Sequence, residues 1–235
     1  DLRRSWFDRV RFLGVPFPLP DLVEDQTALR SDLQRDGQFP FRAREQSYQQ
    51  YVLDGAWNAG ERDVSKRARR LDFWPNRGET VVDIGCHVGG FLHWWALACE
   101  PSWISAPARV IGVDVEPYYV ELARRIARTN GWNLCVRVMD VEKDFDTFVA
   151  WIAAVCPQGV DHLLLLSLSK HFTRGDETVF RLIDTLRPRR AYLESNAVNA
   201  QNPYPMLPAV TARGGTYVGD STDRNLRRLY RVPGL

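Results

Sequence analysis

Three aspartates each end a short apolar run, and their positions suit the recognition of a nucleoside. Asp83 is followed by a turn that contains Gly85 and Gly89, and Asp114 and Asp140 close the next two apolar runs. Glycines let the backbone approach a ligand closely and adopt positive φ. A carboxylate at the end of a second strand can accept both ribose hydroxyls of a nucleoside. A carboxylate after a third strand can accept a hydrogen bond from the amino group of adenine.

Regular alternation of strand-like and helix-like segments after Glu79 would position these aspartates. The predicted strands are Thr80–Ile84, Arg109–Val113, Leu134–Met139, Asp161–Ser167, Arg190–Leu193, Thr216–Val218 and Arg227–Val232. The predicted helices are Gly90–Cys99, Pro117–Asn130, Phe145–Val155 and Glu177–Leu186. Strands that alternate with helices indicate parallel βαβ units. The pattern predicts an α/β fold: a doubly wound, mostly parallel, seven-stranded Rossmann-like sheet with an antiparallel C-terminal hairpin.

The N-terminal segment has a different pattern, and we expect it to form a helical cap or lid. Helical candidates are Asp1–Leu13, Asp21–Gln34, Gln46–Leu53 and Arg62–Leu71. A proline-rich break at residues 14–20 separates the first two, because proline removes a backbone donor and restricts its predecessor. The predicted organisation is therefore a cap over residues 1–75 and a ligand-binding domain over residues 76–235.

The motif around Asp83 resembles that of the class I S-adenosylmethionine-dependent methyltransferases, and residues 75–235 resemble this superfamily. Its first strand ends in an acidic residue followed by alternating glycines; Asp83, Gly85 and Gly89 match, and His87 replaces the middle glycine. Histidine is enriched among non-glycine residues at positive φ. By this resemblance Asp83 lies near the methionine part of S-adenosylmethionine, Asp114 holds the ribose and Asp140 the adenine. The implied cofactor-binding residues are Asp83, Gly85, Cys86, His87, Gly89, Asp114, Val115, Asp140, Val141 and Ser167.

A nicotinamide dinucleotide site is the competing interpretation of the glycine-rich turn. That site requires G-x-G-x-x-G with a pyrophosphate at the helix N-terminus. Gly85-x-x-x-Gly89 lacks this spacing, and Asp83 would repel phosphates. A turn that binds no nucleoside is the other alternative.

Candidate catalytic residues follow the fourth and fifth strands, since ligands of a doubly wound sheet bind beyond the carboxyl ends of its strands. His171 is a candidate general base, because histidine has a pKa near neutrality; the alternative is a loop histidine that caps the next helix. Lys170 can orient an acidic substrate, and Glu194 can act as an acid or base or cap a helix. Asn196 lies beside Glu194 on the expected rim. Tyr48 and Tyr51 precede the first strand, where this fold covers the cofactor. Lys170, Asn196, Tyr48 and Tyr51 are the predicted substrate-binding residues.

The segment after the fourth strand also resembles the RNA 5′-phosphate methylating family over about a dozen residues. That family has Ser-x-Thr-Lys, an aromatic-rich loop and Gly-Asp at this place. The matching residues are Ser167, Ser169, Lys170, Gly175 and Asp176, and His171 stands where the family has tryptophan. This resemblance implies an RNA substrate as one alternative.

Composition predicts a globular, cytoplasmic protein, and its charge favours a small-molecule partner; the resemblance above adds methyl transfer. The 235 residues are 45% hydrophobic and 26% charged with a net charge of +2, far from the strongly basic balance of a dedicated nucleic-acid binder. The four cysteines form no C-x-x-C pair, and no ligand spacing for a metal, secretory signal or membrane-length apolar run is visible. We therefore expect methyl transfer to a hydroxylated or sugar-bearing metabolite. The alternatives are an RNA methyltransferase acting on a 5′ end or a tRNA, and a non-catalytic S-adenosylmethionine-binding sensor or partner subunit.

Overall fold

The computed structural model describes residues 47–53, 56–58, 60–76, 78–98, 110–130, 132, 134–197, 205–221 and 226–234. The predicted helical candidates Asp1–Leu13 and Asp21–Gln34 lie outside these residues. The strands are β1 (Ser47–Gln49), β2 (Tyr51–Leu53), β3 (Ala56–Asn58), β4 (Gly60–Arg62), β5 (Val81–Ile84), β6 (Val110–Asp114), β7 (Leu134–Val138), β8 (His162–Leu166), β9 (Arg190–Ala197), β10 (Thr216–Asp220) and β11 (Arg227–Pro233). The helices are α1 (Val64–Arg70), α2 (Gly90–Ala98), α3 (Pro117–Asn130), α4 (Phe145–Val155), α5 (Asp176–Leu186) and α6 (Leu207–Thr211).

Seven strands form one mixed sheet in the order β10-β11-β9-β8-β5-β6-β7. Five neighbouring strands are parallel: β9, β8, β5, β6 and β7. Strand β11 runs antiparallel to both β9 and β10. The order reverses direction between β5 and β8, which are neighbours although two strands separate them in the chain. The predicted fold class, with its antiparallel C-terminal hairpin, is confirmed.

Helices cover both faces of the sheet. On one face α1, α2 and α3 pack against Val81, Leu164 and Tyr192. On the other face α4, α5 and α6 pack against neighbouring residues of the same strands, such as Val82 and Leu163. This double cover explains why β8 has an uninterrupted apolar run, since both sets of its alternating side chains are buried. Within the described residues no helix combines the length and apolar character needed to cross a membrane.

Strand β9 is longer than predicted. We expected it to end at Leu193, but it continues to Ala197, so Glu194 and Asn196 lie within the strand and not on a rim beyond it. The reason is its antiparallel partner: Leu229 pairs with Glu194 and Arg227 with Ala197. This pairing, whose register shifts between Arg227 and Leu229, supplies partners for backbone groups of this polar segment.

The helical prediction for Gln46–Leu53 is wrong. This segment forms β1, which pairs with β4 in parallel, and β2, which pairs with β3 in an antiparallel hairpin. Three-residue strands are too short for a period-2 pattern to outweigh a helical one in the sequence. The helix predicted at Arg62–Leu71 is confirmed as α1, whose N-cap Asp63 accepts a hydrogen bond from the Lys66 amide. Val64 and Ala68 of α1 are buried in the same cluster as Val81, so α1 packs directly on the sheet.

Candidate functional site

The glycine-rich turn joins β5 to α2 at the carboxyl edge of the sheet, beside the point where the strand order reverses. Such a crevice is where open α/β sheets bind their ligands. Gly85 has φ +71° and a Cβ there would lie 2.3 Å from Leu168 Cδ2, so this position needs glycine. Gly89 has φ +83°, and His87, in the place of the middle glycine, has φ 52°. The left-handed turn is therefore made by two glycines and a histidine.

Asp114 ties the end of β6 to this turn. Its Oδ2 accepts a hydrogen bond from the His87 amide at 2.9 Å, and its Oδ1 accepts one from the Glu116 amide at 2.9 Å. Burial raises the pKa of Asp114, and these amides act in the opposite direction. Each carboxylate oxygen can accept a second hydrogen bond. The side chain is half-buried, so it can also accept hydrogen bonds from two vicinal hydroxyls of a ligand.

Asp83 is a buried carboxyl group below the turn. Burial is the main cause that raises its pKa to about 8; the charge of Arg67 lowers it, and Asp114 raises it further. At neutral pH Asp83 is therefore mostly protonated. A cation placed beside it would favour its ionised form.

The residues that close the turn are tightly packed. The His87 ring lies 3.8 Å, centroid to centroid, from the ring of Tyr119, and burial lowers its pKa to about 3. The Cys86 side chain is buried over Gly112, where an added Cβ would lie 2.8 Å from the Cys86 sulfur. Tyr51 is 6% exposed and packs with Val88. These side chains pack against the turn and fix its conformation. The side chain of Tyr48 lies outside the described residues.

The predicted adenine acid, Asp140, starts the turn between β7 and α4. Its Oδ1 accepts hydrogen bonds from the Glu142 and Lys143 amides at 3.2 and 3.1 Å, and Lys143 Nζ lies 2.9 Å from Oδ2. Burial acts to raise the pKa of Asp140, but Lys143 and the amides lower it overall. Val115 is 62% exposed and Val141 is buried. An exposed apolar side chain next to Asp114 suits a planar, apolar ligand face.

Glu194, within β9, is the centre of a buried polar network beside the end of β8. Its Oε2 lies 2.7 Å from Arg67 Nη2 and 3.6 Å from Arg227 Nη1, and all three side chains are nearly inaccessible. Ser167, with φ 63°, donates a hydrogen bond to Glu194 and accepts one from Arg227. Burial acts to raise the pKa of Glu194, but Arg67, Ser167 and the other arginines lower it overall. An ionised, enclosed Glu194 suits structural support better than proton exchange.

The loop between β8 and α5 carries the other predicted side chains. We call residues 167–175 the acceptor loop. Lys170 and His171 are exposed in a short 3₁₀ turn, Ser169–His171. Burial and the charges of Lys170 and Arg227 lower the pKa of His171, whereas Asp114 acts to raise it. Asn196 Nδ2 donates to Ser169 Oγ at 3.2 Å from β9. His171 is thus neutral near pH 7 and can accept a proton.

The structure brings most of the predicted site residues to one edge of the sheet. Asp114 contacts the turn directly, Leu168 packs over Gly85, and Ser167 contacts Glu194. Sequence reasoning missed Arg67, Arg227 and Glu142, which hold Glu194 and the acceptor loop. Arg67 is 127 residues from Glu194 in the chain, and no local pattern signals such a contact.

Several solved structures with similar folds are described as methyltransferases. The chain matches WbdD, a bifunctional kinase-methyltransferase, with 20% identity and a TM-score of 0.51 over 74% of this chain and 42% of WbdD. It matches magnesium protoporphyrin IX methyltransferase from Synechocystis PCC 6803, crystallised with bound S-adenosylmethionine, with 18% identity and a TM-score of 0.51 over 73% and 77% of the two chains. EvdMO1 matches with 16% identity and a TM-score of 0.51 over 79% of this chain and 43% of that one.

The chain has the class I methyltransferase fold. It spans about two fifths of the length of WbdD. No protein-family model and no curated protein matches the sequence. The site assignments of individual residues stay predictions.

Proposed function

We propose that the protein is an S-adenosylmethionine-dependent methyltransferase. The observation that carries this proposal is the connection of Asp114 to the glycine-rich turn at the strand-order reversal, in a class I methyltransferase fold. The turn has the left-handed backbone that lets a ligand approach closely, and Asp114 keeps lone pairs for a ribose. When bound, S-adenosylmethionine supplies an electrophilic methyl group on its sulfonium.

The residues of the edge fit this cofactor in distinct ways. Asp114 would hold the ribose hydroxyls, Asp140 would accept the adenine amino group, and Val115 would cover one face of the base. Asp83, as a buried carboxyl with a pKa of about 8, would ionise beside the α-ammonium of the methionine part. Arg67, also buried there, contributes positive charge that favours this ionised form.

The acceptor loop would place the nucleophile. A neutral His171 can remove a proton from a hydroxyl or amine as it attacks. Alignment of the nucleophile with the departing sulfur at about 3–3.5 Å supplies much of the rate enhancement in such a transfer. The near-neutral net charge favours a small, hydroxylated or sugar-bearing acceptor over a nucleic acid.

Ligand titration tests the proposal. Calorimetry with S-adenosylhomocysteine and, separately, with NAD should give saturable binding of the first alone. Binding of NAD alone would instead support a dinucleotide site. Binding of neither would contradict the proposed function.

A histidine variant separates catalysis from cofactor binding alone. His171→Ala should bind S-adenosylhomocysteine with unchanged affinity, because His171 lies on the acceptor side, and should transfer methyl groups at least about 100-fold more slowly. An unchanged rate, measured with an acceptor found by screening with labelled S-adenosylmethionine, would exclude His171 as the base.

A further inference from the structure

Glu142 connects the turn after β7 to the acceptor loop after β8. Its Oε2 accepts a hydrogen bond from the Thr173 amide at 2.7 Å. Its Oε1 accepts one from the Arg174 amide at 3.1 Å and one from the Thr178 hydroxyl at 2.7 Å. The Glu142 carboxylate therefore accepts hydrogen bonds from two successive backbone N–H groups of the loop and from a hydroxyl in the first turn of α5.

These bonds are those of a stable, ionised carboxylate. Burial acts to raise the pKa of Glu142, but the hydrogen bonds from Thr173, Thr178 and Arg174 outweigh it and lower the pKa to about 2. Hydrogen bonds to a charged group are stronger than those between neutral groups. The clamp is consequently complete at any pH at which an enzyme of this kind works.

The other end of the connection is the predicted adenine site. Asp140 accepts hydrogen bonds from the amides of Glu142 and Lys143, and the Asp144 amide donates to the Asp140 carbonyl at 2.8 Å. Asp140 and Glu142 thus belong to one tight turn and lie two residues apart. A ligand that contacts Asp140 acts on the same turn that holds the loop.

The rest of the loop is held by hydrogen bonds on either side of Thr173 and Arg174 and by Asn196, which donates to Ser169. The His171 amide donates to the Leu168 carbonyl at 2.8 Å, and the Gly175 amide donates to the Phe172 carbonyl at 3.1 Å. Gly175 has φ +57° at the start of α5, which allows the chain to turn there. Thr173 and Arg174 lie between these two points, and their amides bind Glu142.

We infer that Glu142 is a positioning residue that holds the acceptor loop, and with it His171, against the turn that carries Asp140. The inference rests on the proposed function for the identity of the ligand, but the clamp itself is independent of it. Its consequence is coupling: occupation of the adenine site rigidifies the turn, and Glu142 passes this order to the loop. A second ligand then binds to a loop that is already ordered, so its binding loses less conformational entropy.

Amide hydrogen exchange measured by NMR tests the clamp directly in the intact chain. Glu142→Gln should lower the protection of the Thr173 and Arg174 amides at least about tenfold, because a neutral amide is a weaker acceptor and offers an N–H in place of one oxygen. Glu177→Gln is the matched control: it makes the same charge change beside the loop, where the Glu177 carboxylate accepts a hydrogen bond from the Arg174 side chain and from neither of the two amides in the described residues. Glu142→Asp, which keeps the charge, should recover part of the protection.

Histidine titration gives a second readout that a general loss of stability would not move. In the wild type the pKa of His171 lies below its ordinary 6.5, mainly because the imidazole is partly buried and also because Lys170 and Arg227 are near. Release of the loop in Glu142→Gln should raise it toward 6.5, and Glu177→Gln should leave it unchanged. Equal protection and equal His171 pKa values in wild type and Glu142→Gln would overturn the clamp.

S-adenosylhomocysteine tests the coupling. Its addition should increase the protection of the two amides in the wild type and in Glu177→Gln, but not in Glu142→Gln. Binding to the wild type without added protection would overturn the coupling and leave the proposed function standing. Absence of binding to the wild type would contradict the proposed function, whereas the ligand-free comparison of variants would still decide the clamp.

Discussion

Two neighbouring aspartates of the candidate site differ in what surrounds them. Burial is the largest influence on both and raises both pKa values, but two backbone N–H bonds act against it at Asp114, whereas the charge of Arg67 acts against it at Asp83. The consequence is a carboxylate ready to accept hydroxyls beside a carboxyl group that is protonated near neutral pH. Residues of the same type can therefore serve different parts of one ligand.

Proton release on ligand binding follows from the state of Asp83. At pH 7 a pKa of about 8 leaves Asp83 mostly protonated, and an adjacent α-ammonium lowers that pKa, so binding should release up to about one proton. Calorimetric titration of S-adenosylhomocysteine in two buffers of different ionisation enthalpy measures this release. Asp83→Asn should show none. Identical heats in both buffers for the wild type would contradict the argument.

The pKa of Glu142 is lowered, whereas that of Asp83 is raised, so the two groups depend on pH in opposite ways. The folded-state pKa of about 2 lies below the ordinary value of 4.5, so the clamp contributes its full stabilisation above pH 4.5. This contribution decreases as the pH falls from 4.5 towards 2. The protection of the Thr173 and Arg174 amides, corrected for intrinsic exchange rates, should therefore decrease over this range in the wild type. Glu142→Gln should show little change there.

At the scale of elements, the β5–α2 turn can pack against Leu168, just after β8, because Gly85 has no side chain. Gly85→Ala should destabilise the protein by about 2–4 kcal/mol, since it combines a strained positive φ with a clash against Leu168. Gly159→Ala is the matched control, because Gly159 has φ +95° but an added Cβ would meet nothing within 4 Å. It should cost only about 1–2 kcal/mol. Urea denaturation measures both, and equal costs would show that the contact with Leu168 is unimportant.

A buried ion pair between Arg67 and Glu194 joins α1 to β9, beside their apolar contacts. Glu194→Gln should destabilise the protein by about 3–5 kcal/mol, because it leaves the guanidinium of Arg67 buried without its carboxylate. Glu177→Gln breaks an exposed pair with Arg174 and should cost at most about 1 kcal/mol. The comparison uses the same denaturation experiment. A small cost at Glu194 would mean that water or another group replaces its charge.

Local patterns predicted the elements of the sheet, but not its long-range contacts. The continuous apolar run of β8 and the amphipathic α3 and α5 are properties of short segments, so their positions were correct to within a residue or two. The extension of β9 through Glu194 depends on pairing with β11, and the short strands β1–β4 depend on one another. Those pairings join residues that the sequence separates, and a helical pattern at Gln46–Leu53 was misleading for this reason.

At the scale of the whole molecule, the candidate site is assembled from segments across the described chain. Asp83, Asp114 and Asp140 could be placed at one edge of the sheet from the sequence because each lies within two residues of the end of a parallel strand, and parallel strands bring their carboxyl ends to one edge. Arg67 and Arg227 could not be placed, because they reach Glu194 from α1 and β11. The net charge of +2 also gives no sign that Arg67 and Arg227 are buried together beside Glu194.

Calorimetric titration of S-adenosylhomocysteine into the wild type, Asp114→Asn and Glu116→Gln tests the central claim most directly. Glu116 is the matched control, because it is an exposed acid two residues from Asp114 whose amide donates a hydrogen bond to Asp114, and the change to Gln keeps that amide. Saturable binding that Asp114→Asn weakens by one to two orders of magnitude, about 1.4–2.8 kcal/mol, and that Glu116→Gln leaves unchanged, is the predicted result. Absence of binding to the wild type, or equal affinities for all three proteins, would contradict the account.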